Sequence, residues 1–206
     1  MSELTHSGEA TSAAAASYVE RRRLSRPNGW WGVALLVATE TAFFGSLLAS
    51  YFYLRFSATQ WPPAGIDPPA VALPLALTAA LVATSVPAWL ALRSARRSDA
   101  SAARLWLLVS VAIQVGYLVA QGLLFASDLG KFSPRDTAYG SIYFTMLGAH
   151  HAHVVLAVLL QLGLVGLLAR GLTNYRLIGV QAVALYVWFV DAVAVLVVLT
   201  QISPSL

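Results

Sequence analysis

In a chain of 206 residues, 58% hydrophobic side chains and only 11% charged ones leave less than half the charge of an ordinary soluble domain, about 25%. A water-soluble globule is excluded. The net charge of +4 does not indicate nucleic acid, because the basic residues bracket apolar runs instead of covering one face. Cysteine is absent, which excludes disulfides, iron–sulfur clusters, thiolate-held zinc or copper, and a cysteine nucleophile.

In chain order, residues 1–25 are small, polar and finally basic; they read as a flexible or loosely helical cytoplasmic tail without the apolar core of a signal peptide. Residues 26–206 form one domain with five apolar runs, near 30–54, 70–92, 104–126, 140–169 and 176–201. Each is long enough to cross a hydrocarbon core of about 30 Å as a helix, which takes about 20 residues. Lipid offers no partner for free backbone groups, so each run must be helical. The first run carries Glu40, and the loop after it, WPPAGIDPP, is stiffened by four prolines. Pro74 and Pro87 are expected to bound the second run and kink its ends. Gly45–Ala49, Gly116–Ala120 and Gly148–Ala152 place small residues four apart, a spacing that permits close helix approach. The fold class that follows is an all-α integral membrane protein, a bundle of five transmembrane helices.

Orientation follows from the arginines. With the N-terminus in the cytoplasm, Arg21, Arg22, Arg23, Arg26, Arg93, Arg96, Arg97, Arg104, Arg170 and Arg176 lie inside, against Arg55, Lys131 and Arg135 outside. That asymmetry predicts a cytoplasmic N-terminus and an external C-terminus.

The fourth run contains LGAHHAHVV, three histidines in an apolar setting. Counting about 1.5 Å per residue, Glu40, His150, His153 and Asp191 all fall near the bilayer centre on three helices. A charged side chain there costs about 2.5–3.5 kcal/mol, so each should face the interior and find a partner. His150 and His153 share one helix face, while His151 points about a third of a turn away. Three readings stay open for this set. One is a structural network of carboxylate–imidazole bonds or lipid contacts. The second is a metal site of two imidazoles and two carboxylates, which suits zinc or iron. The third is a proton path. Haem held between histidines of two facing helices is excluded, because the intramembrane histidines share one run.

Several ordered pieces resemble subunit III of the haem-copper respiratory oxidases, in a short five-helix form lacking two leading helices. ATETAFFGSLLASYFY resembles that family's membrane Glu followed by aromatics. RPN precedes it, WPP follows in the loop, and Asp136, Tyr139, Gly140 and Ser141 precede the fourth run. LGAHHAHVV is similar to the family's Gly–x–His–Gly–x–His–Val, matching Gly148, His150, His153 and Val154. LYVWFVDAV resembles Tyr–Trp–His–Phe–Val–Asp, matching Tyr186, Phe189, Val190 and Asp191. Departures are Val187 for Trp, Trp188 for His and His151 for Gly, while the family's Gln–x–x–Glu–Tyr survives as Gln121.

The resemblance implies a chain with no catalytic, cofactor or metal residue of its own, haem and copper being held by partner subunits. It implies packing beside catalytic subunit I and subunit II, bound phospholipid, and support of sustained turnover and proton uptake. Glu40 and Asp191 are then the expected partners of the histidines. A bacterial plasma membrane fits the Arg- and Ala-rich composition. The alternatives are a subunit-III-like partner of a nitric oxide reductase and, in another class, a free-standing membrane metalloenzyme using Glu40, His150, His153 and Asp191.

Overall fold

A computed structural model describes residues 28–205, and the expected tail over residues 1–25 lies outside the described residues. The helices are α1 (Asn28–Ser57), α2 (Ala72–Val82), α3 (Ser85–Arg96), α4 (Ala100–Leu129), α5 (Ala138–Leu168) and α6 (Asn174–Ile202), closed by a 3-10 turn at Ser203–Ser205. There is no strand among the described residues. With α2 and α3 forming one interrupted crossing, five spans are long and apolar enough to cross a membrane.

The starts of three helices are set by side-chain caps. Asp99 accepts from the Ala102 N–H at 2.9 Å, Thr137 from Gly140 at 3.0 Å, and Thr173 from Arg176 at 3.2 Å. Each satisfies a backbone donor that the first helical turn leaves free. The caps begin α4, α5 and α6 two to four residues ahead of the apolar runs, because polar first-turn residues belong to the helix once capped. Asp99 lies between spans, and the Ala102 N–H and Ser101 hydroxyl hold its carboxyl below the usual carboxylate range.

The second span departs from expectation. It runs on to Arg96 rather than stopping near residue 92, and it breaks in its interior instead of bending at its ends. Pro87 lacks the N–H that would bond to the Ala83 carbonyl, and its ring crowds that carbonyl. The Val86 N–H takes the Ala83 carbonyl instead at 3.2 Å, and Thr84 bonds back to Leu81 at 2.9 Å. The chain therefore tightens over 83–84 and restarts as α3. In the last turns Arg93 lies over the Trp89 ring at 5.2 Å, which lets a basic residue belong to an apolar span.

The small-residue pairs also do not mark the close approaches. A Cβ on Gly45, Gly116 or Gly148 would meet nothing within 4 Å. Tight packing falls on alanines: Ala88, Ala91 and Ala95 of α3 and Ala103 of α4 are fully buried in one core cluster. In lipid such contacts hold helices together by dispersion and packing, since hydrocarbon is as apolar as the side chains.

Helix α6 is the hub, packing on α1, α2, α3 and α5. Helix α4 packs on α2, α3 and α5, whereas α1 leans chiefly on α5 and α6. Leu35, Phe43, Phe52 and Phe56 of α1 point outward, as do Leu105, Val119 and Leu123 of α4. A surface this apolar suits a hydrocarbon surround.

Candidate functional site

The four ionisable residues singled out by depth do not form one site. They separate into two centres, one between α1 and α5 and one between the break in the second span and α6, with His150 belonging to neither.

The first centre joins α1 to α5. His153 Nε2 lies 2.9 Å from Glu40 Oε2, and His153 Nδ1 lies 2.7 Å from the Ala149 carbonyl oxygen. A carbonyl only accepts, so Nδ1 carries the hydrogen. The Glu40–His153 bond then holds one further proton, on the imidazole beside a carboxylate or on the acid beside a neutral ring. Either way the pair is neutral overall, which suits its depth. Phe43 and Phe44 follow Glu40 by three and four residues and so share its helix face. The Phe44 ring meets His153 edge-on at 5.0 Å, and Phe43 stacks at 6.2 Å. The acid–x–x–aromatic–aromatic spacing thus covers the bond with rings. The His153 and Glu40 side chains remain 16% and 26% exposed, at the open side of the α1–α5 contact.

The second centre sits at the break in the second span. Asp191 accepts from the Thr84 hydroxyl at 3.3 Å and from the Ser85 hydroxyl. The carboxylate–imidazole bond expected for Asp191 is therefore replaced by hydroxyl contacts, because the break turns Thr84 and Ser85 toward α6. Trp188, where the resemblance leads one to expect His, donates its ring N–H to the Ser85 carbonyl at 3.3 Å. The bond ties α6 to the first residue of α3. Gln114 donates to Thr84 at 3.5 Å, and Gln161 donates to Gln114 at 2.6 Å, carrying the network from α6 through the break to α4 and α5. Thr84, Ser85, Gln114 and Gln161 were missed from sequence. Their signal was uncharged polar residues at span centres, with Gln114 and Gln121 one heptad apart on one face.

His150 is 1% exposed, and neither ring nitrogen has a hydrogen-bond partner in the protein. Its ring lies 6.3 Å from Tyr117 and 6.2 Å from His151. It faces Tyr117 of α4, because the turn of about 60° round α5 between His150 and His153 is enough to give the two rings different neighbours. No cluster of three or more His, Asp or Glu side chains able to hold a metal occurs among the described residues.

Of the remaining motif positions, Tyr139 and Gly140 lie at the end of the bundle where α1 stops and α5 starts, whereas Gly148, Tyr186 and Phe189 lie within their helices. Tyr139 is buried under the Trp61 ring at 5.0 Å, and Trp61 donates to the Tyr51 hydroxyl at 3.2 Å. Tyr51 in turn reaches the Thr200 carbonyl at 2.8 Å, tying α1 to the end of α6. Gly140 packs against the Ser133 carbonyl so closely that a Cβ would collide with it, and the Ser141 hydroxyl donates to the Pro134 carbonyl at 2.8 Å. Tyr186 is buried, with Phe189 at 6.4 Å from both Tyr186 and Phe44. Gly148 carries no contact of this kind. A cavity of about 220 Å³ opens beside Tyr139, where Lys131, Asp128, Tyr143 and Gln201 form an unbroken line of hydrogen bonds.

The model of one protein family, described as cytochrome c oxidase subunit III, matches residues 19–202 and so takes in all five spans and both polar centres. The chain belongs to the cytochrome c oxidase subunit III family. Among its relatives, the cytochrome c oxidase subunit 3 of Mycosarcoma maydis is 30% identical over 171 residues, which cover 79% of this chain and 61% of that protein. That of Locusta migratoria is 29% identical, covering 79% and 64%, and that of Lumbricus terrestris 32%, covering 79% and 65%. The chain thus spans just under two thirds of the length of these curated relatives.

Proposed function

We propose that the chain is a cofactor-free accessory subunit III of a terminal respiratory oxidase of the cytochrome c oxidase type. In this reading it sits beside catalytic subunit I and subunit II, which hold haem and copper and reduce dioxygen while pumping protons. The observation that carries the reading is the family match through every membrane span. The relatives named above all carry the subunit 3 name, which favours the oxidase over a nitric oxide reductase. The separation of Asp191 from the histidines weighs against a free-standing metalloenzyme.

Support of turnover is assigned to the Glu40–His153 pair, whose partly open flank gives protons and phospholipid access at membrane depth. The basic residues at the α3–α4 and α5–α6 turns support a cytoplasmic N-terminus, and the setting proposed is a bacterial plasma membrane. The test is affinity capture of the tagged full chain from membranes. A larger haem protein is expected to come with it in fixed ratio. A stable monomer carrying its own stoichiometric metal overturns the reading. Glu40→Ala is further expected to shorten the active lifetime of the captured complex during continuous turnover; unchanged inactivation kinetics leave Glu40 a packing residue.

A further inference from the structure

The cavity of about 220 Å³ beside Tyr139 takes no part in either polar centre, and its walls are built to stay open. Its roof is the loop between α1 and α2. Gly65 turns that loop with φ 89°, the Ile66 N–H closes the turn on the Pro63 carbonyl at 3.1 Å, and Pro68 and Pro69 stiffen the descent into α2. Its floor is a hydrogen-bonded line. Gln201 donates to the Tyr143 hydroxyl at 2.9 Å, Tyr143 to Asp128 at 2.7 Å, and Lys131 to Asp128 at 3.1 Å. Its sides are Leu73, Leu124 and Phe132, and the Phe132 ring is held between those of Tyr139 and Phe144, at 5.6 and 4.9 Å. A stiff roof and interlocked rings leave little to be ordered when a ligand enters, which lowers the cost of binding.

The charges on the lining set the ligand's sign. Two carboxylates and one amine face the space, so one negative charge is in excess. Both Asp128 oxygens are taken, Oδ1 by the Lys131 ammonium and Oδ2 by the Tyr143 hydroxyl. Asp67, in the roof, makes no ion pair with any described residue and is the charge left over. A cation is therefore favoured over an anion. Calcium takes six to eight oxygen ligands, more than one free carboxylate beside a carbon-lined side can supply. Leu73, Leu124 and Phe132 suit carbon substituents instead, and aromatic rings attract a positive charge brought over their faces. The volume lies below the about 300–1,000 Å³ of sites for drug-sized molecules, so the ligand is small.

We propose that this cavity binds a small organic ammonium ion, with the Asp67 carboxylate as counter-ion and the side formed by Leu73, Leu124 and Phe132 holding its carbon groups. Two sources share that chemistry: a free amine-bearing molecule, and the ammonium headgroup of a lipid entering past Leu73, which is half exposed. The site is complete within one chain, so the proposal stands apart from the subunit reading.

The test is titration calorimetry of the full chain in phosphatidylglycerol bilayers, which carry no ammonium group, with choline as the probe. One choline per chain is expected to bind, and 3,3-dimethylbutanol, of the same shape without the charge, at least about tenfold more weakly, the low end for losing a bond to a charged group. Asp67→Asn is expected to weaken choline by a similar factor, while Asp67→Glu, which keeps the charge on an exposed loop, retains binding. Absence of choline binding overturns the site. Equal binding in Asp67→Asn and wild type overturns the counter-ion, and displacement by equimolar sodium overturns the organic class. Replacing half the lipid by phosphatidylethanolamine separates the sources: weaker choline binding assigns the site to a lipid headgroup, and unchanged binding to a free ion. Loss of the Asp67-dependent binding in the captured complex would place a partner's basic side chain in the cavity and overturn the small-molecule reading.

Discussion

His153 shows how one backbone oxygen decides the chemistry of a whole centre. Because the Ala149 carbonyl claims the Nδ1 hydrogen, the remaining nitrogen and Glu40 must share a single proton. Glu40→Ala leaves Nε2 without its partner and is expected to cost about 1 kcal/mol, the low end for an unsatisfied group because the pair is partly open. Glu40→Gln retains an amide N–H that donates to Nε2 and is expected to cost less. Thermal unfolding in bilayers checks the order, and equal losses would show that the carboxyl charge itself is required. Gly140 makes the complementary point by what it lacks. Gly140→Ala drives a methyl into the Ser133 carbonyl and is expected to cost about 1–3 kcal/mol, lowering the unfolding midpoint while leaving the Glu40–His153 bond intact. That Glu40, His153 and Asp191 need partners was legible from depth and charge alone. Which partner each finds was not, because it depends on helix rotation, and His150 and His153 lie close enough in sequence to seem interchangeable.

At the scale of elements, lengths and number were readable from apolar runs, and the misreadings trace to polar atoms that act locally. Thr137 and Thr173 extend α5 and α6 beyond their greasy cores by accepting backbone hydrogens. Thr137→Ala is expected to destabilise the α5 end by about 1 kcal/mol, seen as faster amide exchange at Gly140 with the rest of the helix unchanged. The broken second span is the larger case. Proline's effect falls four residues upstream of itself, so a residue that seems to mark an end in fact opens the middle. The break is held by contacts from outside: the hydroxyls of Thr84 and Ser85 on Asp191, and the Trp188 ring N–H on the Ser85 carbonyl. Thr84→Val preserves shape while removing the donor to Asp191 and the acceptor for Gln114. A loss of about 1–3 kcal/mol is expected for the buried groups left behind. A neutral result would mean that Ser85 alone secures the break.

For the whole molecule, the hub position of α6 and the sparse contacts of α1 divide the bundle into a well-packed body and one leaning helix. The aromatic end fastens that helix through Tyr51, Trp61 and Arg55, whose guanidinium donates to the Ser203 carbonyl at 3.1 Å. The opposite end carries the α3–α4 turn with Arg93, Arg96 and Arg97 and the α5–α6 turn with Arg170 and Arg176. Insertion retains basic turns on the cytoplasmic side, so the aromatic end is expected to face outward. The chain lends itself to a direct check because it contains no cysteine. Ala64 in the proline-rich loop and Ser98 in the basic turn are both exposed, so a single thiol at either site reports its side without a background signal. With a membrane-impermeant reagent, Ala64→Cys is expected to label in right-side-out vesicles and Ser98→Cys only in inverted ones. The reverse pattern would turn the bundle over, and would place Asp128, Lys131 and the adjoining cavity on the cytoplasmic face instead.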